Sequence, residues 1–245
     1  MTILEYSKLY KKDNYTSNIP FMFNKEITEY DMKEGGFSIT QEFKLLDDEK
    51  IQKLKKYSKE QRKKLLGIEQ RDNPEYKEAT KQGFMDAREL FFIQNDIQDN
   101  DIISIKKDAI FTCKKCKKNK IGTYILFREK NTYTSYIRLD KRLELFYNPT
   151  KIDVKGISDE KLQYHEDYML KFLKQFFYKM ETTSDTEVLE FLKRFIDKHK
   201  RKELEEGYYR RFDANSNFEI MPDSEEINIS YNFNHILLKL VQIPL

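Results

Sequence analysis

Hydrophobic and polar positions in the first part of this chain follow first the spacing of a strand and then that of helices. Residues 25–33 are typical of a β-strand. Further on, Ser58 and Gln61 have the spacing of a helix capping box. Asn73 and Pro74 supply an N-cap and a proline at the first helical position, and apolar residues then recur every 3.6 residues over several turns. The pattern predicts one strand followed by several helices, the last of which is long.

The second half of the chain repeats the change from strands to helices. Four strand-like stretches, separated by polar turns, predict an antiparallel meander: 101–112, 121–128, 132–139 and 142–148. A short link at 151–157 follows. Ser158 then begins a long amphipathic helix, and Ser184 with Glu187 forms the capping box of a second helix. The predicted fold class is therefore α+β.

Composition narrows the class of protein. A hydrophobic content of 39%, with 18 Phe and 16 Tyr, is enough for a core. No apolar run approaches the length of a membrane span, the N-terminus lacks the apolar segment of a signal peptide, and two cysteines indicate a reducing compartment. We therefore expect a cytoplasmic protein without a membrane partner. The abundance of Lys, Ile and Asn suits an AT-rich genome, such as that of a bacteriophage or its host.

The net charge is only +3, but the positive residues are strongly clustered along the chain. Three runs are locally basic and contain or adjoin aromatic residues: 53–64, 114–120 and 193–202. A single basic run is usually a solvated helix face or loop. Three such runs on one chain favour a polyanionic partner.

Two aspartates stand out because of their surroundings. Asp31 and Asp108 each lie at or within an apolar, β-prone stretch, and the pattern between them is largely helical. If the two strands pair, the two carboxylates meet. Facing carboxylates can hold a divalent metal ion against a phosphate group. The plainer interpretation is that both are ordinary carboxylates at strand ends.

The segments around these aspartates resemble two palm motifs of family B DNA polymerases. In the motif Asp-x-x-Ser-Leu-Tyr-Pro-Ser-Ile, Asp31 matches the aspartate and Ser38-Ile39 matches the final pair. In the motif Asp-Thr-Asp-Ser, Asp108 matches the second aspartate. Tyr136 corresponds to the tyrosine of a Lys-x-Tyr strand, and Lys155-Gly156 resembles a Lys-Gly element that opens the thumb. The resemblance implies a palm-like antiparallel sheet with inserted fingers-like helices and a C-terminal helical thumb-like region.

The same resemblance implies a domain division and a reaction. The division is an N-terminal arm at 1–24, a palm-like domain at 25–156 with a helical insertion at 47–95, a thumb-like region at 157–206, and a mixed C-terminal segment at 207–245. The implied function is that of a small nucleotidyltransferase that extends a nucleic-acid primer, DNA rather than RNA, by two-metal phosphoryl transfer. Mg²⁺ or Mn²⁺ would be held by Asp31 and Asp108. The expected ligands of the nucleotide phosphates are Arg62, Lys63, Lys77 and Lys81. Arg88, on the same predicted long helix as Lys77 and Lys81, is a further candidate. The expected primer contacts are Tyr136, Lys155 and Gly156.

Departures from the polymerase motifs leave alternatives open. Lys106 replaces the first aspartate of the second motif, and on one strand it would project beside Asp108 and oppose a metal. A catalytically silent palm that binds nucleic acid or another protein is therefore a second hypothesis. The fingers motif is missing, so a protein partner could supply that part, and the oligomeric state stays open.

A third hypothesis uses the first segment differently. Gly35-Gly36 could turn a hairpin, which would place Asp31, Glu42 and Lys44 in the Asp…Glu-x-Lys arrangement of metal-dependent nucleases. Cys113 and Cys116 have zinc-knuckle spacing, but no second cysteine pair exists, so zinc is not expected.

Overall fold

The computed structural model describes residues 6–139, 143–156, 170–205, 208, 210–212 and 218–220. They form two compact units. The first contains the described residues up to Ser17 together with Ile27–Thr132, and the second contains Asn18–Glu26 together with the described residues from Tyr133 onward. The chain therefore passes from the first unit into the second, returns, and leaves again.

The described strands, in chain order, are β1 Asn14–Thr16, β2 Phe21–Met22, β3 Ile27–Met32, β4 Ile102–Lys106, β5 Ala109–Thr112, β6 Lys120–Ile121, β7 Ile125–Tyr133, β8 Ser135–Arg138, β9 Glu144–Asn148, β10 Lys151–Lys155, β11 Arg210–Phe212 and β12 Phe218–Ile220. The described α-helices are α1 Gly35–Glu42, α2 Asp48–Lys55, α3 Lys59–Asp72, α4 Pro74–Asn95, α5 Lys171–Thr182 and α6 Asp185–Lys200. Short 3₁₀ helices span Lys8–Lys11 and Asp99–Asp101. The fold is mixed α+β, as predicted.

The first unit is built on a six-stranded sheet with the order β1-β4-β5-β3-β7-β6. Its pairs β1–β4, β4–β5, β3–β5 and β6–β7 are antiparallel. Helix α4 covers one face, where the ring centroid of Phe91 lies 5.5 Å from that of Tyr30 and 4.3 Å from that of Phe127. All three side chains are fully or almost fully buried. Burial of each such side chain stabilises the fold by about 2 kcal/mol, so this contact holds the long helix on the sheet.

The second unit contains a four-stranded antiparallel sheet with the order β10-β9-β8-β2. Helices α5 and α6 pack on it through a core that includes Tyr147, Phe172 and Phe177. Tyr147 and Phe177 stack with their ring centroids 4.8 Å apart. Strands β11 and β12 pair separately. Within the described parts of the chain, no helix is both long and apolar enough to cross a membrane.

Several local predictions are confirmed. The capping boxes at Ser58 and Ser184 both form, and the Asn73 side chain accepts a hydrogen bond from the Tyr76 N–H at 3.1 Å at the start of α4. The strand predicted at 25–33 is β3. The long helix predicted from Ser158 lies outside the described residues up to residue 169, as does most of the predicted segment 207–245.

Three predictions about local structure are wrong. The stretch 101–112 is a hairpin of β4 and β5, because a two-residue turn divides it. The predicted link at 151–157 contains strand β10, which pairs with β9 along its length. Gly35 and Gly36 begin helix α1 and turn no hairpin.

Candidate active site

Asp31 and Asp108 come together where β3 pairs with β5, as the sequence predicted, but Asp31 is on its strand whereas Asp108 is in the turn that precedes the other strand. Asp31 is on β3 opposite Ala109 of β5, and Asp108 is the turn residue directly before β5. The N–H of Met32 donates to the carbonyl of Asp108 at 3.0 Å. Both aspartates line one cleft of about 430 Å³. The β3–β5 pairing thus brings together two carboxylates that are 77 positions apart in the sequence.

Helix α1 begins in the same cleft. Glu34, two residues after the end of β3, adopts a left-handed conformation with φ 49°, and the N–H groups of Phe37 and Ser38 donate to its carbonyl. The N–H groups of Gly35 and Gly36 precede these bonds, so they have no acceptor within the helix. A helix N-terminus with such groups attracts anions. The cleft therefore pairs carboxylates with a position suited to phosphate oxygens.

Gly35 is required by close packing in this cleft. A Cβ atom at Gly35 would lie 2.9 Å from Cε1 of Phe84 and 3.4 Å from Cβ of Asp108. The missing side chain lets α1 start directly against the Asp108 turn. The glycine at this position therefore has a steric reason.

Helix α3 supplies cations to the cleft. Lys59 and Lys63 line it and are one helical turn apart, on the same face of the helix. Neither ammonium group forms a hydrogen bond or ion pair with any residue that the structure describes. Lys63 was among the predicted nucleotide ligands and is in place. Lys59 was missed, although its spacing of four from Lys63 is a signal that the sequence contained.

Arg62 lines the cleft as predicted, but its guanidinium is already engaged. Its Nε and Nη2 donate to Oε2 of Glu34 at 3.0 and 2.8 Å, and Nη1 donates to the carbonyl of Tyr57. The guanidinium also lies 5.1 Å from the ring centroid of Phe37. Arg62 therefore ties α3 to the start of α1, and Lys59 and Lys63 are the better placed phosphate ligands.

The two aspartates are in unequal environments. Burial is the main cause that raises the pKa of Asp108 above its ordinary value, and the negative charge of Asp31 raises it further. Asp31 has a partner, because Nη2 of Arg128 lies 3.4 Å from its Oδ2. A buried carboxylate next to a like charge is stabilised in its ionised form by a bound cation. The electrostatics of this pair favour binding of a positive ion.

The aspartate pair provides only part of a metal coordination sphere. Among the described residues, no group of three or more His, Cys, Asp or Glu side chains is placed to hold a metal ion. Mg²⁺ is usually bound through one or two carboxylates, with water and substrate phosphates as its other ligands. Two carboxylates beside a phosphate position match that mode of binding.

Lys106 does not project beside Asp108. Lys106 ends β4 and its Nζ lies 3.2 Å from the hydroxyl of Thr16, whereas Asp108 is in the turn. In the register of the sheet, Ala109 separates Lys106 from Asp31, which places their backbones two strand spacings, or about 10 Å, apart. The expectation that this lysine shares a strand face with Asp108 is wrong.

Arg88 was considered as a phosphate ligand, but it is fully buried. Its Nε donates to the carbonyl of Tyr10 at 2.8 Å, its Nη1 to the carbonyl of Lys107 at 2.6 Å, and its Nη2 to Oδ1 of Asp13 at 3.1 Å. Arg88 therefore fastens the turn that carries Asp108 to α4. The sequence held a signal for this burial, because Arg88 falls on the apolar face of that helix, next to Phe84 and Phe91 by spacing.

The other predicted nucleotide ligands lie in a neighbouring cleft. Lys77 and Lys81 line a cleft of about 290 Å³ that shares Gln70, Phe84 and Lys107 with the first. They do not line the cleft that contains the two aspartates.

The predicted primer contacts belong to the second unit. Tyr136 is fully buried and its hydroxyl lies 3.0 Å from Oε1 of Glu144, so contact with a primer does not fit its position. Lys155 ends β10 with its Nζ 3.9 Å from Oδ2 of Asp153. Gly156 follows with φ 103°, a conformation that favours glycine. For Lys155 and Gly156 the primer role stays a prediction.

The nuclease arrangement is not formed. Glu42 is at the end of α1, and its Oε2 accepts hydrogen bonds from the N–H groups of Thr123 and Tyr124 at 2.8 and 2.6 Å. Neither Glu42 nor Lys44 lines the cleft of Asp31. The hairpin that would have joined them is a helix.

Neither Cys113 nor Cys116 forms a disulfide bond with a described residue. Burial is the main cause that raises the pKa of the Cys116 thiol to about 12. A thiol with that pKa stays protonated at neutral pH and is a poor metal ligand in this form.

Comparison with known proteins places the chain in a family but does not give an activity. The family model described as Bacteriophage PBS1 gene 130 protein matches residues 1–239. No curated protein matches the chain. The match supports the phage origin that the composition indicated, and it indicates no polymerase family. The chain belongs to the Bacteriophage PBS1 gene 130 protein family.

Proposed function

We propose that this protein is a metal-dependent nucleotidyltransferase with a polymerase-like palm, acting on a DNA primer and nucleoside triphosphates. One observation carries the proposal. Asp31 on β3 and Asp108 in the turn before β5 share a cleft with the N-terminus of α1 and with Lys59 and Lys63. The resemblance of their segments to family B polymerase motifs points to the same chemistry.

The residues of the cleft have separate roles in such a reaction. Asp31 and Asp108 would hold Mg²⁺ or Mn²⁺, which supplies Lewis-acid activation of the phosphoryl oxygens. Lys59, Lys63 and the free N–H groups of Gly35 and Gly36 would bind the remaining phosphate charge. In phosphoryl transfer, positioning and charge neutralisation account for most of the catalysis, and these groups provide both.

A second candidate function is nucleotide binding without catalysis. The ion pair between Asp31 and Arg128 favours it, because a guanidinium 3.4 Å from the carboxylate competes with a metal ion. That pair is partly exposed, with 45% of the Arg128 side chain accessible, so it contributes about 1 kcal/mol at most. A divalent ion bound by two carboxylates would displace it.

Primer extension tests the proposal directly. The protein is incubated with a labelled DNA primer–template, with dNTPs or NTPs, and with Mg²⁺ or Mn²⁺. We expect extension that Asp31→Asn and Asp108→Asn each abolish and that Asp72→Asn, an exposed control on α3, leaves intact. Absence of extension with every nucleotide, together with nucleotide binding that survives in both site variants, would contradict the proposal and favour nucleotide binding without catalysis.

A further inference from the structure

The second cleft has its own set of cations. Lys77 and Lys81 are one turn apart on α4, and Lys107 forms part of the wall that this cleft shares with the cleft of Asp31 and Asp108. None of the three ammonium groups forms a hydrogen bond or ion pair with the described part of the chain. The Lys107 ammonium instead lies 5.8 Å from the ring centroid of Phe84, which is another residue of the shared wall.

The carboxylates of the second cleft do not cancel this charge. Asp13 is held by Arg88, whose Nη2 lies 3.1 Å from Oδ1 of Asp13. Glu78 is the other acidic residue of the lining, against three lysines. The second cleft is therefore net positive.

These features favour a different ligand from that of the first cleft. Because its lysines outnumber its carboxylates and Asp13 is held by Arg88, the second cleft favours an anion that is bound by ammonium groups directly. Its volume of about 290 Å³ is at the lower end of the range for a whole small ligand. A phosphate group with its sugar fits such a cleft better than a complete metal-bound triphosphate does.

We propose that Lys77, Lys81 and Lys107 form a second phosphate site that binds a phosphodiester of a nucleic-acid strand adjacent to the reacting nucleotide. The proposal rests on the proposed function, since it places a strand next to the transfer site. Lys107 belongs to both clefts and lies next to Asp108 in the sequence, so it links strand binding to the metal position. The triphosphate tail of a nucleotide has the same phosphate chemistry and is the rival occupant.

Strand binding is measured by fluorescence anisotropy with a short labelled single-stranded DNA over a series of salt concentrations. The variant Lys77→Ala/Lys81→Ala is compared with Lys171→Ala/Lys174→Ala, a control with the same loss of charge. Lys171 and Lys174 are exposed on α5, lie outside the three basic runs and line neither cleft. Each phosphate contact contributes about 0.7 to the slope of log K against log salt for single strands. We expect the cleft variant to lower this slope by about 1 and to weaken binding about tenfold at low salt, and the control to retain wild-type values.

Two results would overturn the second phosphate site. One is equal loss of strand affinity in both double variants, which indicates diffuse charge attraction. The other is unchanged strand affinity in the cleft variant together with weaker binding of a fluorescent dNTP in the presence of Mn²⁺, which assigns the cleft to the triphosphate.

Asp108→Asn separates this proposal from the proposed function. We expect this variant to lose extension and to keep the strand affinity that depends on Lys77 and Lys81. Suppose that the wild type never extends a primer, but that Lys77→Ala/Lys81→Ala still weakens strand binding and reduces the salt slope. The proposed transferase activity is then contradicted, and the second phosphate site is supported. If the wild type extends primers and the lysine variant binds strands normally, the phosphate site fails alone.

Discussion

The guanidinium of Arg88 lies in the interior of the first unit and satisfies two backbone carbonyls and one carboxylate. Replacement by alanine leaves these acceptors without their donor. A buried acceptor left without its donor costs about 1–3 kcal/mol, and two carbonyls lose their donor here, whereas Asp13, with 40% of its side chain exposed, contributes less. We therefore expect Arg88→Ala to lower the free energy of unfolding by several kcal/mol in urea denaturation. Arg71→Ala is the control, because Arg71 is exposed and pairs only with its neighbour Asp72.

A lysine at position 88 tests whether Arg88 also positions the site. Arg88→Lys keeps the charge but cannot make the three hydrogen bonds of the guanidinium. We expect the folded variant to show a smaller rise in melting temperature with Mn²⁺ than the wild type, because the Asp108 turn is no longer fixed. An unchanged Mn²⁺ response in this variant would limit Arg88 to a structural role.

The raised pKa of Asp108 has a consequence for stability that can be measured in metal-free protein. Burial is the main cause that raises this pKa and the charge of Asp31 raises it further, while a hydrogen bond from the N–H of Asp108 itself and the charges of Lys107 and Lys130 lower it by less. The contribution of a carboxyl group with a raised pKa is complete below its unfolded value, about 3.9, and is lost as the pH rises through the folded value. Between the unfolded and the folded pKa of Asp108, the free energy of unfolding of the wild type therefore falls as the pH rises.

Asp108→Asn removes the decrease in stability that ionisation of Asp108 causes. With EDTA present, we expect the variant to be more stable than the wild type at pH 7.5, by about 1.4 kcal/mol for each unit of the pKa shift. The difference should disappear below about pH 4. Urea unfolding at several pH values measures it. A variant that is less stable than the wild type at pH 7.5 would show that the carboxylate is not strained by its surroundings.

At the scale of elements, the close approach of α1 and α4 depends on Gly83. A Cβ atom there would lie 2.5 Å from Cγ2 of Ile39 and 3.0 Å from Cδ2 of Phe43. We expect Gly83→Ala to destabilise the protein by about 1–3 kcal/mol, the usual cost of overpacking. Thermal or urea unfolding measures the change.

Gly67→Ala is the matched control for this helix contact. Gly67 is also inside a helix, but nothing lies within 4 Å of its added Cβ. Alanine is favoured over glycine in a helix by about 1 kcal/mol, so this variant should be more stable than the wild type. Destabilisation of equal size in both variants would mean that the effect of Gly83 is not steric.

The elements that the sequence predicted well carry local signals. The N-termini of α3, α4 and α6 follow from side chains that cap them, at Ser58, Asn73 and Ser184. Such caps depend on a few adjacent residues, so they can be recognised without knowledge of the rest of the fold.

The wrong predictions arose where tertiary structure overrides local preference. The turn between β4 and β5 contains no glycine, asparagine or proline, and Lys107 adopts a left-handed conformation with φ 56° that lysine rarely takes. Glu34, which lines the same cleft at the start of α1, does the same with φ 49°. Non-glycine residues in such conformations are stabilised by the surrounding fold and tend to occur at functional sites. Their positions cannot be read from composition.

At the scale of the whole molecule, the sequence located the candidate site better than its surroundings. Asp31, Asp108 and Lys63 meet in one cleft as predicted, because strand pairing and helix spacing are both visible in a sequence. The exclusion of Lys77 and Lys81 from that cleft depends on how α4 packs, and the burial of Tyr136 depends on the pairing of β8. Both are long-range effects that a motif does not encode.

The path of the chain between the two units predicts an order of folding. Phe21 of β2 pairs with Ile137 of β8, although more than a hundred residues separate them. Closing a loop of about 100 residues costs about 4 kcal/mol in entropy, whereas a loop of about 10 residues costs about 2 kcal/mol. Folding of the first unit shortens this loop. The N–H of Lys33, just after β3, donates to the carbonyl of Leu126 in β7, so these two strands lie side by side. The chain segments that lead to β2 and β8 then start close together.

Pulsed hydrogen exchange during refolding measures this order. The N–H of Lys33 reports on β3–β7 pairing, and the N–H groups of Lys25 and Arg138, which donate to Thr134 and Pro20, report on closure of the second sheet. We expect Lys33 to be protected first, and earlier protection of Lys25 and Arg138 would contradict this. Folding of the unit that carries the candidate site would then precede pairing of β2 with β8 in the second sheet. A variant that slows folding of the first unit would therefore also slow formation of the second sheet.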